Sequence, residues 1–208
     1  WGMSAQLSTK VCSYVLSTFC GVHQCFRVKE LNLKLYHRVP DNLKYDEIMP
    51  LNQLETIDQE LFDSGNWKYL SRPELKKIKI PTLDCLWNDV IFMSPVHPAQ
   101  IKKALEDSGI KVKQRQEWFE ICPQNCGFTS ANSTIFMYSS ASSDSSDLNE
   151  YRSFSMDNIK PLNNLTPEVF VYYKECAFKG TKPMVFHLIP HVMHKGTLSL
   201  NKLSIIRV

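Results

Sequence analysis

Residues 83–105, LDCLWNDVIFMSPVHPAQIKKAL, form the densest group of side chains that could do chemistry. Acid, thiol, amide, hydroxyl and imidazole groups surround one apolar run and belong to Asp84, Cys85, Asn88, Asp89, Ser94 and His97. Cys85 with His97 would supply a nucleophile and its base, but no nucleophile elbow or cysteine-protease signature accompanies them. Two acids five residues apart on a strand face opposite ways, which argues against a paired-carboxylate site. Short polar residues beside a buried strand can also bond loose backbone N–H groups.

A second group of potential ligands is the run FHLIPHVMH near the carboxyl end, with His187, His191 and His194. Spacings of four and three would align these imidazoles on a helix, but Pro190 and the β-branched neighbours favour a strand and a turn. On a strand a spacing of three places side chains on opposite faces, so the three cannot converge without a bend. We therefore predict no metal site, and keep a zinc-dependent hydrolase using these histidines as an alternative.

Two strands would position the most informative of these groups. Leu33, Leu35, His37 and Val39 alternate with polar residues, the period of a half-buried strand, which places His37 on the apolar face. The run 90–93 (VIFM) is apolar at four successive positions and indicates a strand covered on both faces. Ser94 lies at the end of that strand, where sites commonly form, just before a helix that begins at proline 98.

The remaining patterns predict an α+β domain with a twisted, mostly antiparallel sheet and three to four helices. Further helices are expected over 51–61 and, from the N-cap Thr166 to Gly180, over 167–179. Further strands are expected at 117–121, 134–138, 184–188, 191–200 and 203–208. We assign residues 31–208 to a single domain with a Ser-rich loop at 139–147, preceded by an extension at 1–30 that includes a short helix, Ser8 to Phe19.

Composition excludes several classes of protein. A net charge of +3 is too small to argue for nucleic-acid binding, and the basic residues between Lys68 and Arg115 lack interleaved aromatics. The apolar run that follows Met3 is too short to span a bilayer and too polar for a signal peptide. Seven cysteines, an odd number, are best explained as buried thiols. We expect a cytoplasmic protein, or an effector delivered without a clear signal peptide.

Two fragments, LKLYHRV (33–39) and DVIFMSPVHPAQIKKAL (89–105), resemble the ADP-ribosyltransferase superfamily, including its tRNA 2′-phosphotransferase relatives. IPTLDCLWNDV and PHVMHKG are also similar to segments of uncharacterised bacterial proteins. In the ADP-ribosyltransferases an opening strand carries a histidine or arginine motif that holds the nicotinamide ribose. A later strand ends in a small hydroxyl residue, and a last motif supplies a glutamate. The resemblance implies NAD as a substrate, bound in the cleft between these motifs, and a protein or nucleic acid as acceptor.

Transferred by position, the resemblance gives two sets of residues. The implied catalytic residues are His37, Ser94 and His191. The implied NAD-binding residues are Tyr36, His37, Arg38, Asn88, Asp89 and His97. His191 enters because the late strands contain no glutamate, so His191 or His194 would replace the acid. On the inner face of its strand His37 could donate to a ribose hydroxyl while a neighbour fixes its other nitrogen.

A third hypothesis needs no catalysis. The aromatic residues Trp67, Trp118, Tyr172 and Tyr173, if exposed, could form the partner surface of an interaction module.

Overall fold

A computed structural model describes residues 33–208. The predicted extension at 1–30, with its helix from Ser8 to Phe19, lies outside the described residues. Residues 33–208 form five α-helices: α1 Leu51–Ile57, α2 Gln59–Asn66, α3 Pro98–Asp107, α4 Met156–Ile159 and α5 Pro167–Lys179. The eleven strands of the described residues are β1 Leu35–Arg38, β2 Glu47–Ile48, β3 Lys79–Ile80, β4 Cys85–Leu86, β5 Val90–Met93, β6 Glu117–Ile121, β7 Ser133–Phe136, β8 Tyr151–Ser153, β9 His191–Lys195, β10 Leu198–Ser199 and β11 Leu203–Arg207.

All strand pairs of the described residues are antiparallel. The two larger sheets have the orders β1-β6-β11 and β5-β9-β7-β8, and the short pairs are β10-β2 and β3-β4. The predicted α+β class is confirmed, with one helix more than the upper end of the predicted range. No helix within 33–208 combines the length and the apolar character that a membrane crossing requires.

The two larger sheets meet where β1 passes the end of β5. Tyr36 and Ser94 form a bridge there, because each backbone N–H donates to the other residue's carbonyl at 2.9 Å. The apolar core continues across this seam, since Leu35 and Met93 are buried together with Phe119 of β6. The seam therefore holds the two fragments that carry the family resemblance side by side, although His37 of one and Phe92 of the other are 55 positions apart in the chain.

The helix boundaries follow from local chemistry. The single helix predicted over 51–61 is interrupted at Asp58, whose backbone is extended (φ −150°) and whose carboxylate accepts from the Leu61 N–H, so that it caps α2. Pro98 opens α3 as its first residue, as predicted. Gly180, at φ +64°, ends α5 in the left-handed region that glycine adopts without strain.

Two parts of the sheet differ from prediction. Residues 184–188, predicted as a strand, form turns instead, and Leu188 has a positive φ of 59° just before Pro190. A proline and a left-handed residue so close together prevent regular strand pairing. The Ser-rich segment 139–147 contains no helix or strand, and β8 follows it as an edge strand that the sequence did not predict.

Candidate functional site

A cavity of about 660 Å³ opens beside the seam, between β1, β5 and the helices α1 and α2. Its size is that of a pocket for a nucleotide-sized ligand. Apolar side chains form much of its wall: Ile48, Leu51, Leu54, Leu61, Val90 and Ile91. The polar groups that line it include His37, Arg38, Asp41, Lys44, Glu47, Lys68 and Asn88. The cavity therefore combines apolar walls with several charged and polar groups that could orient a ligand.

His37 is held in one tautomer by the neighbouring strand. Its Nδ1 lies 2.7 Å from the carbonyl oxygen of Phe92, so Nδ1 carries the proton and donates it there. Burial lowers the pKa of His37, the bond to Phe92 raises it, and the charge of Lys68 lowers it further. The ring is therefore neutral at pH 7, and Nε2 is left as an acceptor. A ribose hydroxyl would donate to Nε2, the reverse of the predicted direction.

Asn88 is the most unusual polar group in the cavity. Its side chain is 1% exposed, and neither Nδ2 nor Oδ1 has a hydrogen-bond partner within residues 33–208. An unpaired buried polar group costs about 1–3 kcal/mol, and native structures contain few of them. A ligand group that both donates and accepts would satisfy the amide.

Asp89 fixes the turn that carries Asn88. Its Oδ2 accepts from the Leu86 N–H at 2.7 Å, and its Oδ1 accepts from the Asn52 side chain at 2.7 Å. Because Asn52 belongs to α1, this carboxylate ties the helical wall of the cavity to the Asn88 turn. Asp89 does not itself line the cavity, so the structure gives it the role of positioning the turn, and the predicted contact with a cofactor stays a prediction.

Tyr36, Ser94 and His97 form a packed face on the other side of the seam. The Ser94 hydroxyl bonds the N–H and the carbonyl of Val96 at 3.1 and 3.2 Å. The His97 Nδ1 accepts from the Ala99 N–H and caps α3, and its ring lies 4.9 Å from that of Tyr36. Burial and the charge of Glu120 raise the pKa of Tyr36 to about 12.

The packed face does not line the cavity, which corrects the prediction of one shared cleft. The reason is the alternation of the strand: Tyr36 and His37 are consecutive and point to opposite sides of β1, and Ser94 lies opposite Tyr36. Of the predicted site residues, the structure brings His37, Arg38 and Asn88 together. Arg38 lies at the end of β1, and its guanidinium is 3.5 Å from Oδ1 of Asp41.

His187 and His194 have separate hydrogen-bond partners, whereas the buried Nδ1 of His191 has none within residues 33–208. His187 Nδ1 bonds the Tyr138 hydroxyl at 2.6 Å, and His194 Nδ1 bonds the Ser133 hydroxyl at 2.9 Å. His191 lies among aromatic rings, and burial lowers its pKa to about 4. Neither His191 nor His194 lines the cavity, so neither replaces the missing glutamate there. Within the described part of the chain no group of three ligand residues has the geometry to hold a metal ion.

The aromatic residues predicted to form a partner surface do not share one. Trp118 is 5% exposed and Tyr173 is fully buried, so both belong to the core. Trp67 differs, because it is 66% exposed and lines the cavity, which places it at the mouth. Trp67, Lys68 and Tyr69 were not predicted to line a cavity, since nothing in WKY resembles a binding motif.

Comparison with family models, with curated proteins and with solved structures finds no match to this chain.

Proposed function

We propose that the cavity binds NAD and that the protein transfers ADP-ribose from it to a protein or nucleic-acid acceptor. The proposal depends on two observations: Asn88 and the fixed imidazole of His37 line the same cavity, and the buried amide atoms of Asn88 have no hydrogen-bond partner in residues 33–208. A ligand reaches these two atoms once the side chains that cover them move. The carboxamide of nicotinamide has one donor and one acceptor side, which match the two unpaired atoms of Asn88. A hydroxyl of the adjacent ribose would donate to Nε2 of His37.

The positions of the two resembling fragments also support the proposal. In the ADP-ribosyltransferases the first strand and the second strand border the NAD cleft. Here β1 and β5 are bonded neighbours through Tyr36 and Ser94, and the cavity opens beside them. Ser94 itself has a structural role in this proposal, because its hydroxyl is fully used by Val96.

The transfer step requires a carboxylate, and Glu47 is the group we assign to it. Glu47 lines the cavity and forms no ion pair among the residues described. The bond between C1′ of the ribose and the nicotinamide nitrogen breaks, and both electrons leave with the ring, which becomes neutral. A lone pair of the acceptor forms the new bond to C1′, and the acceptor's proton passes to Glu47.

The thiols support a reducing compartment for this reaction. The four cysteines between residues 33 and 208 are free, and three of them are buried. Unpaired buried thiols are usual in the cytoplasm, where we place the protein.

Calorimetric titration with NAD tests the binding part of the proposal. The wild type should bind, and His37→Ala should weaken binding at least about tenfold, which corresponds to the loss of one hydrogen bond in a desolvated site. His97→Ala is the matched control, because it removes the imidazole of the packed face, and its NAD affinity should stay within about twofold. Equal losses for both variants, or no binding by the wild type at millimolar NAD, would reject the proposal.

Glu47→Gln tests the transfer step separately. The variant should bind NAD as the wild type does, while release of nicotinamide in the presence of acceptor falls at least about 100-fold, because the amide cannot take the proton. Unchanged turnover in this variant would remove Glu47 from the mechanism.

A further inference from the structure

Three consecutive residues after α2, Trp67, Lys68 and Tyr69, all line the cavity. They form one turn of 3₁₀ helix, in which successive side chains would ordinarily diverge around the axis. The turn is anchored by Tyr69, which is 8% exposed. An exposed indole, an ammonium group and a buried phenol are thus presented together to one space.

Lys68 differs from the other cations of the cavity. The Arg38 guanidinium lies 3.5 Å from Oδ1 of Asp41, and Nζ of Lys44 lies 2.6 Å from Oε2 of Glu60. In contrast, no carboxylate in residues 33–208 lies within 4.0 Å of the Lys68 Nζ. Its Nζ lies 5.2 Å from the centre of the Tyr69 ring.

Lys68 is an exposed residue, and desolvation by the protein around it lowers the pKa of its ammonium group. A cation in such surroundings is stabilised when an anion pairs with it.

Trp67 has the surroundings of a stacking platform. Its side chain is 66% exposed at the mouth of the cavity, whereas large aromatic residues that serve only packing are mostly buried. A nucleobase of any kind can stack favourably on such a ring, because every base has a flat π-face.

We propose that the turn Trp67–Tyr69 binds the adenylate half of the ligand, with Lys68 paired to its phosphates and Trp67 stacked on its purine. This inference rests on the proposed function, because it assigns the part of NAD that His37 and Asn88 leave free. It also selects the class of ligand: a phosphorylated adenine nucleotide is preferred over the matching nucleoside.

The test separates the two halves of the ligand by calorimetry with NAD, nicotinamide mononucleotide, nicotinamide riboside and ADP. Lys68→Met should weaken NAD, nicotinamide mononucleotide and ADP about tenfold or more and leave nicotinamide riboside within about twofold, since only the first three carry phosphate. Trp67→Ala should weaken NAD and ADP about tenfold and leave nicotinamide mononucleotide within about twofold.

Matched controls remove the same kind of group elsewhere. Lys111→Met deletes an exposed ammonium that does not line the cavity, and Leu70→Ala shortens the 74% exposed side chain next to the turn. Neither should change any of the four affinities by more than about twofold.

The outcomes distinguish this inference from the proposed function. If the wild type binds NAD and loses affinity through His37→Ala, while Lys68→Met and Trp67→Ala weaken all four ligands equally or none, only the inference on the turn is overturned. In another outcome, Lys68→Met and Trp67→Ala weaken ADP binding, but His37→Ala leaves the affinities for nicotinamide riboside and nicotinamide mononucleotide unchanged. The role of the turn Trp67–Tyr69 is then supported, and the assignment of the nicotinamide half to His37 and Asn88 fails. No binding of any adenine nucleotide overturns both.

Discussion

The two faces of the seam between β1 and β5 carry the same kinds of side chain but use them differently. On the packed face, the side chains of Ser94 and His97 form hydrogen bonds with the nearby backbone of Val96 and Ala99. On the cavity face, Asn88 is buried with no partner in the described residues, and His37 bonds the protein through Nδ1 alone. Residue type does not distinguish the two faces, whereas unmet hydrogen-bonding capacity does.

The largest expected effect is the difference in unfolding free energy between the variants Asp89→Asn and Asp84→Asn. Asp89→Asn removes the charge that accepts from Leu86 and Asn52, and we expect unfolding free energy to fall by about 2 kcal/mol, since hydrogen bonds to charged groups contribute about 1.5–3 kcal/mol. Asp84→Asn removes an exposed partner of Lys79, and because surface ion pairs contribute little, it should change stability far less than Asp89→Asn. Urea unfolding measures both, and equal losses would contradict the positioning role of Asp89.

Ser94→Ala should lower stability without lowering NAD affinity, and Asn88→Leu should lower NAD affinity without lowering stability. Ser94→Ala leaves the N–H and the carbonyl of Val96 unpaired and should cost about 1–2 kcal/mol, with NAD affinity retained. Asn88→Leu replaces an unpaired amide by an apolar group of similar size, so stability should be unchanged or slightly higher, while NAD binding is lost. Chemical denaturation and calorimetry on the same preparations check both. A large stability loss in Asn88→Leu would show that the protein itself satisfies the amide.

The smallest expected effect is that of pH on NAD affinity. Because the folded pKa of His37 lies below 6.5, the ring stays neutral between pH 8 and 7, and the affinity should be constant there. As pH falls through the folded pKa, Nε2 gains a proton, ceases to accept and is repelled by Lys68, so the affinity should drop. The stability that His37 contributes changes in the same direction as the NAD affinity. It is fully present above the pKa of His37 in the unfolded chain and is lost as pH falls through the lower pKa of His37 in the folded protein. Calorimetry from pH 8 to 5 measures the profile, and a fall already between pH 8 and 7 would contradict it.

Local patterns predicted much of the frame. The alternation around His37, the apolar run of β5, Pro98 and Gly180 all act within a few residues, so the strands and helices they define were predicted correctly. The break at Asp58 and the turns at 184–188 were missed because a cap and a left-handed residue competed with the periodicity.

The site was less accessible to sequence reasoning because its decisive property is tertiary. Nothing in the letters WND indicates that Asn88 lacks a partner while Asp89 has two, since the partners come from β4 and α1. Nor does WKY show that its turn faces His37. Strand alternation could have separated Tyr36 from His37, but the resemblance grouped them in one motif and so suggested one cleft.

A crystal structure of the protein with NAD would test whether Asn88 and His37 bind the nicotinamide half of the ligand. We expect the carboxamide of the nicotinamide at about 3 Å from both Nδ2 and Oδ1 of Asn88, and a ribose hydroxyl at the same distance from Nε2 of His37. Nicotinamide bound against Ser94 and His97, or a complex in which the Asn88 amide still has no partner, would contradict it.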